Sequence, residues 1–322
     1  CQNVAILGAG KSGLAAAKLC SRWGLDYCIF DEDGQGDSTL FTEDEAKKFD
    51  TFIFSPGFSK EHQWLRIVEK SDGPCFGELG FSISQWRGKV IGVTGTNGKT
   101  TVTSLLKSAL NAIGVKAVTA GNIGQPLSEL CFKHENCEDT WAICEISSFQ
   151  AELNLGIQLD ALIWTNFAED HLDRHASLES YFAAKCNLLS CLKKGGHAVV
   201  GDSVIAMDSD FKSLGLICEP VLASALSEKS PFCSYPQLNN LQLAAQLWEY
   251  LELPRKALID TANQFKLAPH RLSKILEWKG VSFWDDSKAT NFNAALAALD
   301  AMPDPIHWIC GGACKGGDVS AF

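Results

Sequence analysis

The chain has 322 residues, 46% of them hydrophobic and 20% charged, which is enough for two or three globular domains with packed cores. Its net charge of −10 argues against a nucleic-acid binder, which shows a basic surplus. Bulk charge does not exclude a small phosphate pocket, because such a pocket needs only a few local cations.

Thirteen cysteines are present and none forms a Cys-x-x-Cys pair. The spacing Cys310-x3-Cys314 has no second ligand pair nearby, so structural zinc is not expected. Cys28 and Cys144 lie in apolar runs, as buried reduced thiols do, and a reducing cytosol is the expected location. No window approaches 18 uninterrupted apolar residues, which excludes a spanning helix. The apolar start breaks at Gly8-Ala9-Gly10, so it reads as a strand and turn instead of a signal peptide. A start at Cys1 without methionine suggests that a few leader residues are missing.

In chain order, Val4-Ala5-Ile6-Leu7 reads as a strand ending in glycines, followed by a helical pattern over about residues 12–23. Tyr27-Cys28-Ile29-Phe30 and Thr51-Phe52-Ile53-Phe54 are further strands, the second stopped by Ser55-Pro56-Gly57. This alternation implies parallel α/β structure with right-handed crossovers. The rhythm restarts at Lys89-Val90-Ile91-Gly92-Val93, with a helix over about 101–113. Buried strands read at 141–146, 161–165 and 197–200, and helices at about 178–192, 238–251 and 255–264. A third start comes at Val281-Ser282-Phe283-Trp284-Asp285. The expected boundaries fall near 87 and 267. The last 55 residues would make a marginal core alone, so a truncated third domain is expected.

Gly95-Thr96-Asn97-Gly98-Lys99-Thr100-Thr101 follows a strand and opens a helix, the setting of a phosphate-binding loop. Its glycines let backbone N–H groups turn inward toward phosphate oxygens. The helix start adds roughly half a positive charge. Lys99 can reach the β- and γ-phosphates, and the Thr100 hydroxyl can ligate Mg²⁺. Val93 stands where the strict pattern has its first glycine, with Gly92 one residue earlier.

Gly92 to Thr100 closely resembles the ATP loop of the Mur ligases and folylpolyglutamate synthases. Four further segments follow in the Mur ligases' order. They are Gly121-Asn122-Ile123-Gly124; Glu145-Ile146-Ser147-Ser148-Phe149-Gln150; Asn166 through His175; and Asp286-Ser287-Lys288-Ala289-Thr290-Asn291, shortly after Pro269-His270-Arg271. The Ser-Ser-Phe-Gln and Asp-Ser-Lys-Ala-Thr-Asn segments resemble the branch that adds D-glutamate to UDP-N-acetylmuramoyl-L-alanine. The resemblance covers essentially the whole chain. It implies an N-terminal Rossmann-like domain for the UDP-substrate (1–87), a central P-loop ATPase-like parallel α/β domain (88–267) and a partial C-terminal Rossmann-like domain for the amino acid (268–322).

The reaction implied is carboxylate activation by ATP to an acyl phosphate, which an amine then attacks. Charge grows on phosphoryl oxygens, so such a site needs cations and positioning more than a nucleophile. By resemblance, Lys99, Glu145, His171 and Lys185 are catalytic. Thr100, Glu145, His171 and a CO₂-carbamylated Lys185 would hold two Mg²⁺ ions, since Mg²⁺ prefers hard oxygen donors. ATP would be held by Gly95, Thr96, Asn97, Gly98, Lys99, Thr100, Thr101, Asn122, Asn240, Arg271 and Asp286. Where the family usually has His-Asn ahead of the Asn at the adenine, this sequence has Pro236-Gln237 and then Asn240. Ser147, Ser148 and Gln150 would line the muramoyl end, Arg271, Asp286, Lys288 and Thr290 would close over ATP from the third domain, and Lys315 would meet the incoming amino acid's carboxylate. Small-molecule substrates, no nucleic acid, no membrane insertion and a monomer are expected.

Gly8-Ala9-Gly10-Lys11-Ser12-Gly13 also satisfies G-x-G-x-x-G after a strand, with Asp31 at 21 residues beyond Gly10. Read alone, that pattern suggests a nicotinamide oxidoreductase. The resemblance instead gives Ser12, Gly13, Asp31, Ser55 and Gly57 to uridine and diphosphate. A folylpolyglutamate synthase lacks the Asp-Ser-Lys-Ala-Thr-Asn segment and would not need the first domain. A non-catalytic nucleotide-binding homologue is the remaining alternative.

Overall fold

The computed structural model describes residues 3–133, 136–215 and 224–312. A four-stranded sheet has the order β2-β1-β3-β4, with β1 (Asn3–Leu7), β2 (Asp26–Phe30), β3 (Thr51–Phe54) and β4 (Cys75–Gly77). All of its pairings are parallel. In β1, Val4 through Leu7 are fully buried, and β3 is buried throughout. That uninterrupted apolar character is what a parallel strand covered on both faces requires. Its core gathers Phe30, Phe41, Phe52, Phe54 and Trp64.

A five-stranded sheet has the order β6-β7-β5-β8-β9, with β5 (Val90–Thr94), β6 (Ala117–Gly121), β7 (Trp141–Glu145), β8 (Leu159–Trp164) and β9 (Leu192–Val200). Strands β6 and β7 pair in parallel, with Gly121 opposite Glu145. Strands β10 (Ser273–Trp278) and β11 (Val281–Asp285) form an antiparallel hairpin.

By contacts the chain falls into two compact units. The first comprises Cys1–Gly92, Gly114–Leu162 and Ala183–His197; the second comprises Val93–Ile113, Ile163–Phe182 and Ala198–Phe322. This partition differs from boundaries near 87 and 267. Boundaries read along the sequence follow chain order, whereas these divisions fall inside strands β5, β8 and β9.

The helix expected over 178–192 is shorter, Leu178–Cys186. Beyond it, Asn187 Nδ2 donates to the carbonyls of Ala151 and Glu152, a tertiary contact that a helical period cannot reveal. Strand β9 then begins at Leu192, five residues ahead of the expected 197, through the polar run Lys193-Lys194-Gly195-Gly196. Strands β4, β6 and β10 and the helix Phe292–Asp300 have no counterpart in the sequence reading. Among the described residues, no helix is long and apolar enough to cross a membrane.

Candidate nucleotide site

Strand β5 is wholly buried and delivers the chain into the loop 95–98, after which the helix Lys99–Ala112 begins. The loop is shaped from the segment that follows β8. Thr96 N donates to Asn166 O (3.0 Å) and Asn97 N to Asn166 Oδ1 (2.8 Å). In return, Asn97 O accepts from Thr165 Oγ1 (2.6 Å) and Asn166 Nδ2 (3.0 Å). The Thr96 hydroxyl donates to Ala168 O (3.1 Å) and lies 3.2 Å from the hydroxyl of Tyr181, whose phenol burial pushes toward its neutral form. Gly98 has φ +83°, and a Cβ there would stand 2.4 Å from Asn240 Oδ1. Only glycine takes this left-handed, crowded position without cost.

Lys99 Nζ donates to Gly95 O (3.0 Å) and Thr96 O (2.8 Å), so its ammonium lies over the loop. The Thr100 hydroxyl accepts from Arg271 Nη2 (3.1 Å). A cavity of about 300 Å³ opens beside the loop within the second unit. Its polar wall includes Asn97, Gly98, Thr101, Asn166, Asn240, Arg271, Asp286 and Lys288. Leu243, Ala294, Ala297 and Ala298 supply an apolar side. A cation-bearing end against a phosphate loop and a small apolar side suit a ligand with a charged chain and a flat ring. Tyr235, Pro236 and Gln237 also line it, so the segment where the sequence departs from the family pattern forms part of this wall. Burial pushes the Asp286 carboxyl up, opposed by the N–H of Leu272, which donates to Asp286 Oδ1 at 2.9 Å. Thr290 is exposed and is not among the wall residues. Lys315 lies outside the described residues.

His171 takes a left-handed backbone (φ 54°) just ahead of a short helix. Its N–H donates to Asp170 Oδ1 (2.9 Å), and its Nε2 lies 3.7 Å from Asp170 Oδ2.

In the first unit, Glu145 ends β7 and is 4% exposed. Asn122, just past β6, donates its side-chain amide to Glu145 Oε1 (3.2 Å) and its backbone N–H to Glu145 O (2.8 Å). The Gly-Asn-Ile-Gly and glutamate segments therefore meet at adjacent strand ends, the edge where open α/β sheets bind ligands. Ser147 and Gln150 form a reciprocal capping box on the helix Ser148–Leu153, whose Ser148 is buried. Their polar groups thus satisfy the helix start, a local task beyond the expected substrate role. Lys185 is 1% exposed.

The G-x-G-x-x-G turn follows β1. A Cβ on Gly13 would sit 1.8 Å from Gly8 O, so the helix Lys11–Arg22 can approach the strand only with glycine there. The buried Ser55 hydroxyl donates to Gly8 O (3.3 Å), Ser12 is half-buried and Gly57 is exposed. Asp31 Oδ2 accepts from Ala9 N (2.7 Å), and Oδ1 accepts from Asp33 N (3.1 Å) and Gln35 N (3.3 Å). These N–H groups, Ala9 first, hold its carboxyl below the usual range. A carboxylate so engaged does not fit the free ribose acceptor of a nicotinamide site.

Sequence reasoning assigned no role to Asn166, Tyr181 or Asn291. Asn291 exchanges amides with Asn97: its Nδ2 donates to Asn97 Oδ1 (3.0 Å) and its Oδ1 accepts from Asn97 Nδ2 (3.3 Å). Its Nδ2 also donates to Asp170 Oδ2 (3.1 Å). Asn166 and Asn291 lie in segments already singled out as motifs, so a signal existed. Tyr181 carried none beyond a helical position.

Residues 93–213 match the family model described as the Mur ligase middle domain. The chain is 32% identical to the UDP-N-acetylmuramoylalanine–D-glutamate ligase of Gloeobacter violaceus, a match spanning 98% of this chain and 78% of that protein. The chain belongs to the Mur ligase family. A second Mur ligase of the same name, from Trichodesmium erythraeum, is 30% identical across 97% of this chain and 76% of its own length. Among solved structures, MurF from Acinetobacter baumannii superposes with a TM-score of 0.55 at 16% identity, covering 81% of this chain and 70% of that one. At that identity the likeness carries the fold alone, a Mur-ligase α/β fold with parallel sheets.

Proposed function

We propose that this Mur ligase is an ATP-dependent amide-bond ligase that adds D-glutamate to UDP-N-acetylmuramoyl-L-alanine in peptidoglycan precursor synthesis. The observation that carries the reading is the cavity at the phosphate loop. Its wall joins Gly98 and Thr101 of the loop to Asn240, Arg271, Asp286 and Lys288. The γ-phosphoryl group of ATP passes to the substrate carboxylate, ADP leaves, the amine of D-glutamate attacks the acyl carbon, and phosphate is expelled. Lys99 and Arg271 neutralise charge on the transferring phosphoryl group, and the N–H groups where the helix Lys99–Ala112 begins orient it. Asn240 and the residues before it hold the adenine. Asn122 extends the nucleotide contacts. Ser12, Gly13, Asp31, Ser55 and Gly57 serve the UDP moiety, while Ser147, Ser148 and Gln150 serve the muramoyl end. Lys288 and Thr290 serve closure over ATP, and Lys315 serves the carboxylate of D-glutamate.

Mur ligases use ATP and Mg²⁺, and the donors here have the right chemistry, a hydroxyl and a buried carboxylate. Thr100, Glu145, His171 and a carbamylated Lys185 would hold two Mg²⁺ ions, which supply charge neutralisation when bound. The reading includes three domains in the Mur ligase manner, a monomer, and residence in the cytoplasm. Phosphate release with ATP, Mg²⁺, UDP-muramoyl-alanine and D-glutamate tests it. Release that depends on D-glutamate is expected. Activity with another amino acid and none with D-glutamate would overturn the substrate assignment.

A further inference from the structure

Residues 270–273 and 285–288 run side by side at the base of the β10–β11 hairpin, where Ser273 pairs with Asp285. His270 and Leu272 have φ of +65° and +43°, in the left-handed region that residues with side chains rarely occupy. Arg271 lies between them and points its guanidinium at the Thr100 hydroxyl. A backbone held in such a conformation on both sides of a functional residue persists only when its surroundings fix it. Here the fixing groups are visible. Asp286 Oδ1 accepts from Leu272 N (2.9 Å), and Lys288 N donates to His270 O (3.1 Å). Asp285 Oδ2 lies 2.5 Å from His270 Nδ1, and Asp285 Oδ1 accepts from Ser287 N (2.9 Å). An ionised carboxylate only accepts, so His270 Nδ1 carries the proton of that contact. The hydrogen bond from His270 holds the Asp285 carboxyl at about 2, which keeps it ionised at neutral pH.

We propose that Asp285 is a positioning residue for the nucleotide: through His270 it fixes the strained turn that aims the Arg271 guanidinium at the phosphate loop. Asp286 faces the cavity and was expected to matter; Asp285 is not among the cavity residues and acts one step away. Its effect on ATP therefore passes through the orientation of Arg271. An arginine at a phosphate works by fixed fork geometry, so a small rotation costs much of its value.

The inference rests on the reading of this loop as an ATP site, so the test begins with binding. The affinity of the full chain for Mg²⁺ and the non-hydrolysable analogue AMP-PNP is measured for Asp285→Asn, His270→Gln, Arg271→Ala and the pair Asp285→Asn with Arg271→Ala. Each single change is expected to weaken binding by about tenfold. The double variant is expected to be no weaker than Arg271→Ala alone, because Asp285 has nothing left to aim. Under turnover, Asp285→Asn raises KM for ATP and leaves KM for the UDP-linked substrate and D-glutamate unchanged; general damage would move all three.

Wild-type affinity in Asp285→Asn at unchanged Tm overturns the proposal, as do losses that multiply in the double variant. If Asp285→Asn fails to fold, His270→Gln breaks the same contact from the other side and decides alone. A chain that shows the non-additive binding but no D-glutamate ligation sustains this inference and overturns the functional reading. A chain that binds no AMP-PNP overturns both.

Discussion

Two loops in this molecule carry nearly the same glycine punctuation after a buried parallel strand, and their surroundings differ in charge. In the turn after β1, an anion is already in place: the Asp31 carboxylate accepts from the N–H groups of Ala9, Asp33 and Gln35. In the loop after β5, the groups that shape the backbone are the neutral amide and hydroxyl of Asn166 and Thr165, and two cations stand over it, Lys99 and Arg271. A glycine pattern states only that backbone can come close. What stands nearest that backbone differs between the two: a protein carboxylate takes the Ala9 N–H in the first, and side-chain cations overhang the second.

The sharpest way to break that comparison is to exchange the lysines. Lys99→Ala removes the cation over the second loop, and ATP-dependent phosphate release is expected to fall by about a thousandfold or more. Lys11 stands in the matching place of the first loop, where its Nζ donates to Gly124 O at 2.8 Å. Lys11→Ala is expected to change turnover by about threefold at most, as for an exposed hydrogen bond. Equal losses from the two substitutions would mean that the loops are not distinguished by charge.

The glycines provide the next largest effects, read by denaturant unfolding. In Gly13→Ala the new methyl meets the backbone carbonyl of Gly8 at 1.8 Å, which can yield only if helix and strand separate. A loss of about 3 kcal/mol is expected. In Gly98→Ala the methyl meets the Asn240 side chain at 2.4 Å, and a side chain can turn away. The φ of +83° still disfavours alanine, so a smaller loss of about 1–2 kcal/mol is expected, with weaker nucleotide binding. The reverse order would mean that the first turn is the more adaptable of the two.

The loop itself was legible in the sequence because its chemistry is local: a strand, a glycine turn, a lysine and a helix within a dozen residues. The residues that lock it were harder to see. Asn166 reaches Asn97 across 69 positions, and Asn291 reaches it across 194. Neither spacing has a periodic signature, and only the motif order hinted at their use. Strand β10 was missed because Lys274, Ile275, Leu276, Glu277 and Trp278 are all exposed, so no buried face imposes a pattern on that strand. The early start of β9 was missed for a similar reason, since Lys193-Lys194-Gly195-Gly196 reads as a turn until Leu159 N is found donating to Cys191 O. The capping box of Ser147 and Gln150 is present as a Ser-x-x-Gln spacing, but that spacing does not separate a helix cap from a substrate contact.

The smallest effect tests the internal anion directly. Asp31→Asn keeps the shape of the side chain and removes its charge, which leaves the N–H of Ala9 facing a weaker acceptor. Because Asp31 is only half-buried, the loss is expected to be about 1 kcal/mol. Its pH dependence carries the diagnosis. The native carboxyl is held below its usual value, so its contribution is present above the unfolded value of about 3.9 and is lost as pH falls through the native one. The stability difference between the natural chain and Asp31→Asn, measured by urea unfolding, is thus expected to be constant from pH 7 to about pH 5 and to shrink below about pH 4. A difference that stayed constant down to pH 3 would show that the charge of Asp31 does nothing for the turn. The contrast between an anion built into one loop and a cation-lined loop built to receive one would then fail at its first term.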